Sequence, residues 1–383
     1  MEFKLNQEER ITKDAIRDFL KKEIMPIVEE YEVERKYITK KMLKKLEPFG
    51  ITSALVPEDE GGMGLSFITY AIMVEEIGRA WGSLRTLMTT AASATKIISQ
   101  YGNRTQKEKY LPPLMAMDET ACFALTEPDV GSDAASVQTE AVRRGDYYIL
   151  NGTKTLITGG SMADVVCVCA TVDPKKKGKG VTAFLVKKGE SDFQANDIRK
   201  MGMRSCPLSE LVFKDCKVPL ENRLGEEGQG LKIALSGLNA GRISVTFGVV
   251  GAAQAALEAS INYAKNRHQF GRPIGSFQLV QELIVDMALR VDTARLLGYR
   301  AASLLDAGED CRREASFAKL FATEGAVDVT SKAIQVHGGY GYTEEYPVER
   351  YYRDVRHLTM AEGTTEMQKL IIGRDLLKIS AIS

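Results

Sequence analysis

The sequence predicts a mixed, mostly α-helical protein built from three consecutive segments. These are an N-terminal helical domain over residues 1–118, an antiparallel β domain over 119–226, and a C-terminal helical bundle over 227–383. Three observations carry the prediction. Near the start, apolar residues recur at helical spacing. From about residue 119 they give way to short β-branched runs set off by turn residues. From about residue 227, long and partly polar stripes return at helical spacing.

Taken in order, Ile11, Ala15, Ile16, Phe19, Leu20, Ile24 and Ile27 form one helical face with charges between them. Thr39 to Leu46 predicts a short helix ended by Phe49-Gly50, and Pro57 to Gly64 a glycine-rich loop. Phe67 to Arg79 is helical again. Asn103 to Leu111 is a helix that Pro112-Pro113 is expected to stop. Cys122 to Leu125, Tyr147 to Leu150, Val165 to Val172, Val181 to Val186 and Glu210 to Val218 read as strands. Arg144-Gly145-Asp146 and Asn151-Gly152 read as turns. The basic run Lys175 to Lys179 reads as a solvated hairpin tip. In the last segment Leu257, Ile261 and Ala264 share a face. Phe277, Val280, Ile284, Met287, Val291, Ala294 and Leu297 make a long stripe, extended by Phe317, Leu320, Ala326 and Val329.

Composition narrows the function. Basic and acidic residues number 51 each, so the formal charge is zero, which argues against a nucleic-acid binder using a broad basic surface. A 44% hydrophobic share allows a large core. No apolar run, Val245 to Ala256 included, reaches the ~20 residues of a membrane span. The N-terminus, MEFKLNQEER, has no basic start before an apolar core, so a cytoplasmic location is expected. The six cysteines form no CxxC and lie far from the three histidines, so no metal site is expected.

Generic catalytic patterns are missing: there is no GxSxG, HExxH or GxxxxGK[ST]. Gly338-Gly339-Tyr340-Gly341 does not follow a strand, so it is no dinucleotide fingerprint. Four other segments carry the signal together. They are Leu125-Thr126-Glu127-Pro128-Asp129-Val130-Gly131-Ser132-Asp133, Asn151-Gly152-Thr153-Lys154-Thr155-Leu156-Ile157-Thr158, Arg267-His268-Gln269-Phe270-Gly271-Arg272-Pro273-Ile274, and Gln335 to Gly341 paired with Ala361-Glu362-Gly363-Thr364-Thr365-Glu366. In order and spacing, over essentially the whole chain, they resemble the acyl-CoA dehydrogenase family.

The resemblance implies non-covalent FAD, a homotetramer and an electron-transfer flavoprotein as electron acceptor. It gives Phe123, Leu125 and Thr126 contacts to the flavin ring, and Leu156 and Thr158 positions beside it. Gly131 and Ser132 would meet the pyrophosphate, with Ser132 also near the acyl thioester. A glycine lets backbone N–H groups approach an anion, and a serine adds a donor. Arg267, Gln269 and Phe270 would reach the FAD of a neighbouring subunit, Gln335 and Gly339 would cross the same interface, and Thr364 and Glu366 would contact cofactor. Glu362 matches the catalytic base that takes the pro-R α-proton while hydride leaves Cβ for flavin N5. Such a base needs its pKa raised by desolvation and the thioester carbonyl polarised; the family uses the base's own N–H and a ribityl hydroxyl. Some members place the base just before an arginine on an earlier helix, and here that position is Gly241, before Arg242. Arg242 and Gly363 are expected to meet substrate.

Two departures stand out: Leu156 replaces a tryptophan beside the flavin, and Ala361 a tyrosine before the base. Arg85, at the start of the helix that lines the acyl pocket, matches an arginine with which glutaryl-CoA dehydrogenases pair a distal carboxylate. A buried guanidinium needs an anionic or strongly polar partner. The expected substrate is therefore a short acyl-CoA with a polar or dicarboxylic acyl group, and Ala361 favours a non-decarboxylating form. The spacing from Arg85 to Tyr101-Gly102 is one residue shorter than in the glutaryl type. It is similar to that of acyl-carrier-protein-linked members, which makes a small polar acyl group on a carrier protein the alternative. A flavin oxidase or non-catalytic flavin-binding scaffold is the alternative of another class.

Overall fold

The structure is a computed structural model that describes residues 4–381. Helix α1 (Gln7–Phe19) begins at a reciprocal cap. The Asn6 side chain accepts from the Glu9 N–H at 2.9 Å, and the Glu9 carboxylate accepts from the Asn6 N–H at 2.8 Å. One π-helical turn, Leu20–Ile24, leads into α2 (Met25–Glu34). Then follow α3 (Lys40–Lys44), α4 (Phe67–Ala80), α5 (Gly82–Tyr101) and α6 (Arg104–Met115). The proline pair does not stop α6 at Leu111. It removes two N–H donors, but Leu114 beyond it is buried and the Ala116 N–H still closes on the Pro112 carbonyl at 3.0 Å. Packing of the last turn overrides the local breaker.

The strands are β1 (Ala121–Ala124), β2 (Glu140–Arg144), β3 (Tyr147–Thr158), β4 (Val165–Thr171), β5 (Val181–Lys187), β6 (Gln194–Asp197), β7 (Leu208–Pro219) and β8 (Arg223–Leu224). They form one sheet in the order β6-β7-β3-β2-β4-β5-β8, with β1 paired to β4. The sheet is mixed rather than antiparallel throughout. β1 runs parallel to β4, and β2 meets β4 in parallel at Glu140–Thr171. Parallel neighbours need a crossover connection, and residues 125–164 supply one that carries the Gly131–Ser132 loop. Asn151-Gly152 is not a turn. β3 passes through it, its pairing with β7 slips there, and Gly152 takes φ 151°. The dipeptide forms a β-bulge, and the hairpin turn is at Gly145, φ 61°. Lys175, Lys176 and Lys177 are exposed between β4 and β5.

The bundle comprises α7 (Gly230–Ser236), α8 (Leu238–Asn266), α9 (Gln278–Asp306), α10 (Arg312–His337), α11 (Val348–Arg356) and α12 (Thr365–Leu377). A small hairpin of β9 (His268–Gln269) and β10 (Arg272–Pro273) joins α8 to α9. α8 is the central helix, packed on α4, α9 and α10. Its contact with α4 is a seam of backbone on backbone: a Cβ at Gly78 would lie 2.4 Å from the Gly248 carbonyl oxygen, and one at Gly251 would lie 2.1 Å from that of Glu75. Contrary to expectation, the run Gly230–Asn266 is long and apolar enough by composition to cross a membrane. In this fold 61% of its most apolar window is buried within the protein. One apolar core therefore runs through both helical segments; the sheet has a core of its own on one face and packs against α5 and α6 on the other.

Candidate active site

The turn between α11 and α12 carries Glu362. Its backbone is left-handed, φ 56°, followed by Gly363 at φ 88°. The carboxylate points at α8: a Cβ at Gly241 would lie 2.8 Å from Glu362 Oε2. A side chain at 241 would therefore require the Glu362 carboxylate to move. The Glu362 residue is exposed, yet protein crowds around its carboxyl group. That burial pushes its pKa above the usual carboxylate range, while Arg242, Lys319 and Arg85 pull it back.

Three cations face this turn without ion-pair partners among the described residues. Arg242, one position beyond Gly241, is 5% exposed; it donates to Asn239 Oδ1 at 3.3 Å and leaves Nε unpartnered. Burial lowers its pKa. Arg85 on α5 is 3% exposed, and its Nε is also unpartnered. It does not pair with Glu75 or Glu76, which are taken by Arg295 and by Arg17. Burial pulls Arg85 down to about 10. It lines a small internal cavity with Trp81, Met203, Gly248 and Asp354, and its charge is felt at Tyr70 and Glu362. Tyr70 in turn lines a second cavity with Ser93, Lys96, Ala240 and Ser244, beside Gly241. The third cation, Lys319, was not singled out from sequence.

The β domain assembles a second set. The Thr155 N–H donates to the Thr126 carbonyl at 2.9 Å, which ties the end of β1 to Leu156 on β3. Leu156 takes φ 58° and leaves 56% of its side chain exposed; Phe123, Leu125, Thr126 and Thr158 are half-buried. Gly131 and Ser132 are exposed, and a Cβ at Gly131 would meet nothing within 4 Å. Beneath lies a buried pair that sequence reading also missed. Lys154 Nζ donates to Glu127 Oε1 at 2.7 Å and to the Leu125 carbonyl at 3.0 Å. Glu127 accepts the N–H groups of Gln138 at 2.7 Å and Thr139 at 2.8 Å. Burial raises the Glu127 pKa, but Lys154 and these donors hold it below the ordinary value.

Not every expected residue joins these sets. Gln335 lies 16 residues along α10 from Lys319, about 24 Å at 1.5 Å per residue. It is exposed, as are Gly339, Arg267, Gln269 and Phe270. Arg267 stacks over the Tyr340 ring, so these residues form a separate group at the other end of the bundle. Thr364 caps α12 by accepting the Met367 N–H at 3.3 Å, and Glu366 beside it is exposed. Among the described residues, no cluster of three His, Cys, Asp or Glu could hold a metal ion.

A carboxylate set at a turn of the helical bundle, beside a β domain whose open glycine loop and exposed Leu156 present a cradle, fits a flavin-dependent oxidoreductase acting on CH–CH bonds. The chain belongs to the acyl-CoA dehydrogenase family. Residues 6–118, 122–216 and 228–377 match its N-terminal, middle and C-terminal domains. The chain is 40% identical to acryloyl-CoA reductase (NADH) of Anaerotignum propionicum over 381 residues, covering 99% of this chain and 96% of that one. It is 39% identical to the caffeyl-CoA reductase-Etf complex subunit CarC of Acetobacterium woodii, over 97% of this chain and 99% of that one. The structure of a glutaryl-coenzyme A dehydrogenase glutaryl-CoA complex superposes with TM-score 0.95 at 34% identity, covering 99% and 97%. The family is FAD-dependent. The open space at Gly131 and the exposed, left-handed Leu156 fit that group.

Proposed function

We propose that this chain catalyses α,β-dehydrogenation of a short acyl-CoA whose acyl group ends in a polar or anionic function, with Glu362 as the base. The observation that carries the reading is the Glu362 carboxylate set against Gly241 among three cations that lack carboxylate partners. Burial makes Glu362 a stronger base than a solvated carboxylate, so it can take the α-proton, and the cations limit the rise so that it still ionises. The Glu362 N–H makes no hydrogen bond within the described residues, which leaves a donor for the thioester carbonyl. Bound FAD supplies the acceptor for the hydrogen and electron pair that leave Cβ. Phe123, Leu125, Thr126, Leu156 and Thr158 hold the ring, and Gly131 and Ser132 hold the pyrophosphate. Arg242 and Gly363 meet substrate beside the base, and Arg85 meets the distal group. Arg267, Gln269, Phe270, Gln335 and Gly339 reach a neighbouring subunit in a homotetramer, a reading supported by Phe270 lying 93% exposed. An electron-transfer flavoprotein is the electron partner, supported by the relative named as part of an Etf complex.

The test is anaerobic bleaching of the flavin by butyryl-CoA, glutaryl-CoA and a hydroxyacyl group on a carrier protein, in wild type and Glu362→Gln. Glutaryl-CoA is expected to bleach best, with the rate rising with pH as Glu362 ionises. The Gln variant should keep its flavin and lose on the order of 1,000-fold in rate. Unchanged bleaching in that variant would overturn the assignment of the base; bleaching by the carrier-protein substrate alone would replace the CoA thioester.

A further inference from the structure

Lys319 is fully buried on α10, in a place where a lysine is ordinarily matched by a carboxylate. Its ammonium instead donates to two backbone carbonyls, that of Gly363 at 2.8 Å and that of Thr359 at 3.3 Å. From α12 the Gln368 side chain, also fully buried, donates to the same Gly363 carbonyl at 2.9 Å and to that of Glu362 at 3.2 Å. Two donors on two helices thus converge on the carbonyls around the base. The turn they hold is one the backbone resists, since Cβ of a non-glycine residue crowds the following carbonyl in the left-handed region, and Glu362 stands there at φ 56°. A side chain at the glycine that follows would be strained, since Gly363 takes φ 88°, and it would push Gln368 Nε2 aside from 2.7 Å.

We infer that Lys319 and Gln368 are positioning residues for the base, together fixing the shape of the Glu362–Gly363 turn, with Lys319 also placing a positive charge at that turn. The inference rests on Glu362 being the base. The charges that face Glu362 come from three helices: Arg242 on α8, Lys319 on α10 and Arg85 on α5. Lys319 itself faces Glu362, Arg242, Glu324 and Glu366. Burial draws its pKa down to about 8 against the pull of Glu362. It therefore remains charged at neutral pH and opposes the rise that burial imposes on Glu362.

The two residues should fail differently. Lys319→Gln keeps a donor and removes the charge, so the Glu362 midpoint should rise by about one pH unit. Lys319→Met should do the same and also slow the reaction across the whole pH range. Gln368→Leu leaves the charge in place, so kcat should fall about tenfold with KM and midpoint unmoved. The midpoint is read without any substrate, from the pH titration of the carboxyl infrared band that disappears in Glu362→Gln. It is read a second time from the acid limb of flavin reduction by butyryl-CoA. Flavin content and thermal melting identify any variant that fails to fold, and Gln368→Leu then carries the test of the turn. An unmoved carboxyl midpoint in folded Lys319→Gln would overturn the electrostatic role, and full kcat in Gln368→Leu would overturn the positioning of the turn. Loss of activity in Glu362→Gln together with either result would leave the base assignment standing and remove only this inference.

Discussion

In the β domain, Lys154 is buried against Glu127; the ammonium also donates to the Leu125 carbonyl, and both carboxylate oxygens accept backbone N–H groups. Across the two helical domains, Lys319 and Arg242 on the bundle and Arg85 on α5 are buried around one carboxylate, and none has an ion-pair partner among the described residues. Both regions take charge out of water, which is costly unless the charge is matched. Where the match is internal, the pair holds a shape: it fixes Leu125 and the loop that follows. Where the match is missing, the fold carries an unmet demand for an anion or an acceptor, and a substrate can supply it.

That difference can be broken by substitution. The largest effect on stability should come from Lys154→Met, which strands a buried carboxylate. It should lower the unfolding free energy by about 3–5 kcal/mol in a denaturant titration, whereas a loss under 1 kcal/mol would mean that the pair is not structural. Arg85→Met should act in the opposite sense. Removing an unmatched buried charge should leave the protein as stable as wild type or about 1 kcal/mol more so, while flavin bleaching by glutaryl-CoA falls about 10- to 100-fold more than bleaching by butyryl-CoA. Equal losses with both substrates would make Arg85 structural.

A last effect appears only in the pH profile and concerns Asp354, a bundle carboxyl pushed up to about 7, chiefly by burial and then by Glu32. Between about pH 4 and 7 the folded state keeps a proton that the unfolded chain has released. The stabilisation this gives is complete below the ordinary carboxylate range and is lost as pH rises through 7. Asp354→Asn keeps an acceptor for the Met203 N–H and should flatten that part of the stability profile, as thermal melting across pH 4 to 8 would show. A slope as steep as that of wild type would assign the dependence to other groups.

The order of helix, strand and helix was legible because each segment buries one face and repeats its apolar residues at the period of that face. Glu362, Arg85 and Arg242 were legible from motif and position. Lys319 left a trace, a lone charge within Ala315-Ser316-Phe317-Ala318-Lys319-Leu320-Phe321-Ala322, on what is otherwise an apolar face. Its partners were hidden because they are backbone carbonyls 40 and 44 residues away, and carbonyls have no sequence signature. Asn151-Gly152 and Pro112-Pro113 misled for a related reason. Local preference says what a dipeptide can do, and the register of β7 or the burial of Leu114 decides what it does.

The glycine seam between α4 and α8 bears on how such a protein can diverge. With Gly78 and Gly251 set against opposing carbonyls, these two helices can neither part nor slide without the loss of that contact. Under the proposed function, a descendant exploring new acyl groups would keep two walls of its pocket and vary the third, and exchanges along α5, at Arg85, Ser93 and Lys96, would be the route by which its specificity drifts.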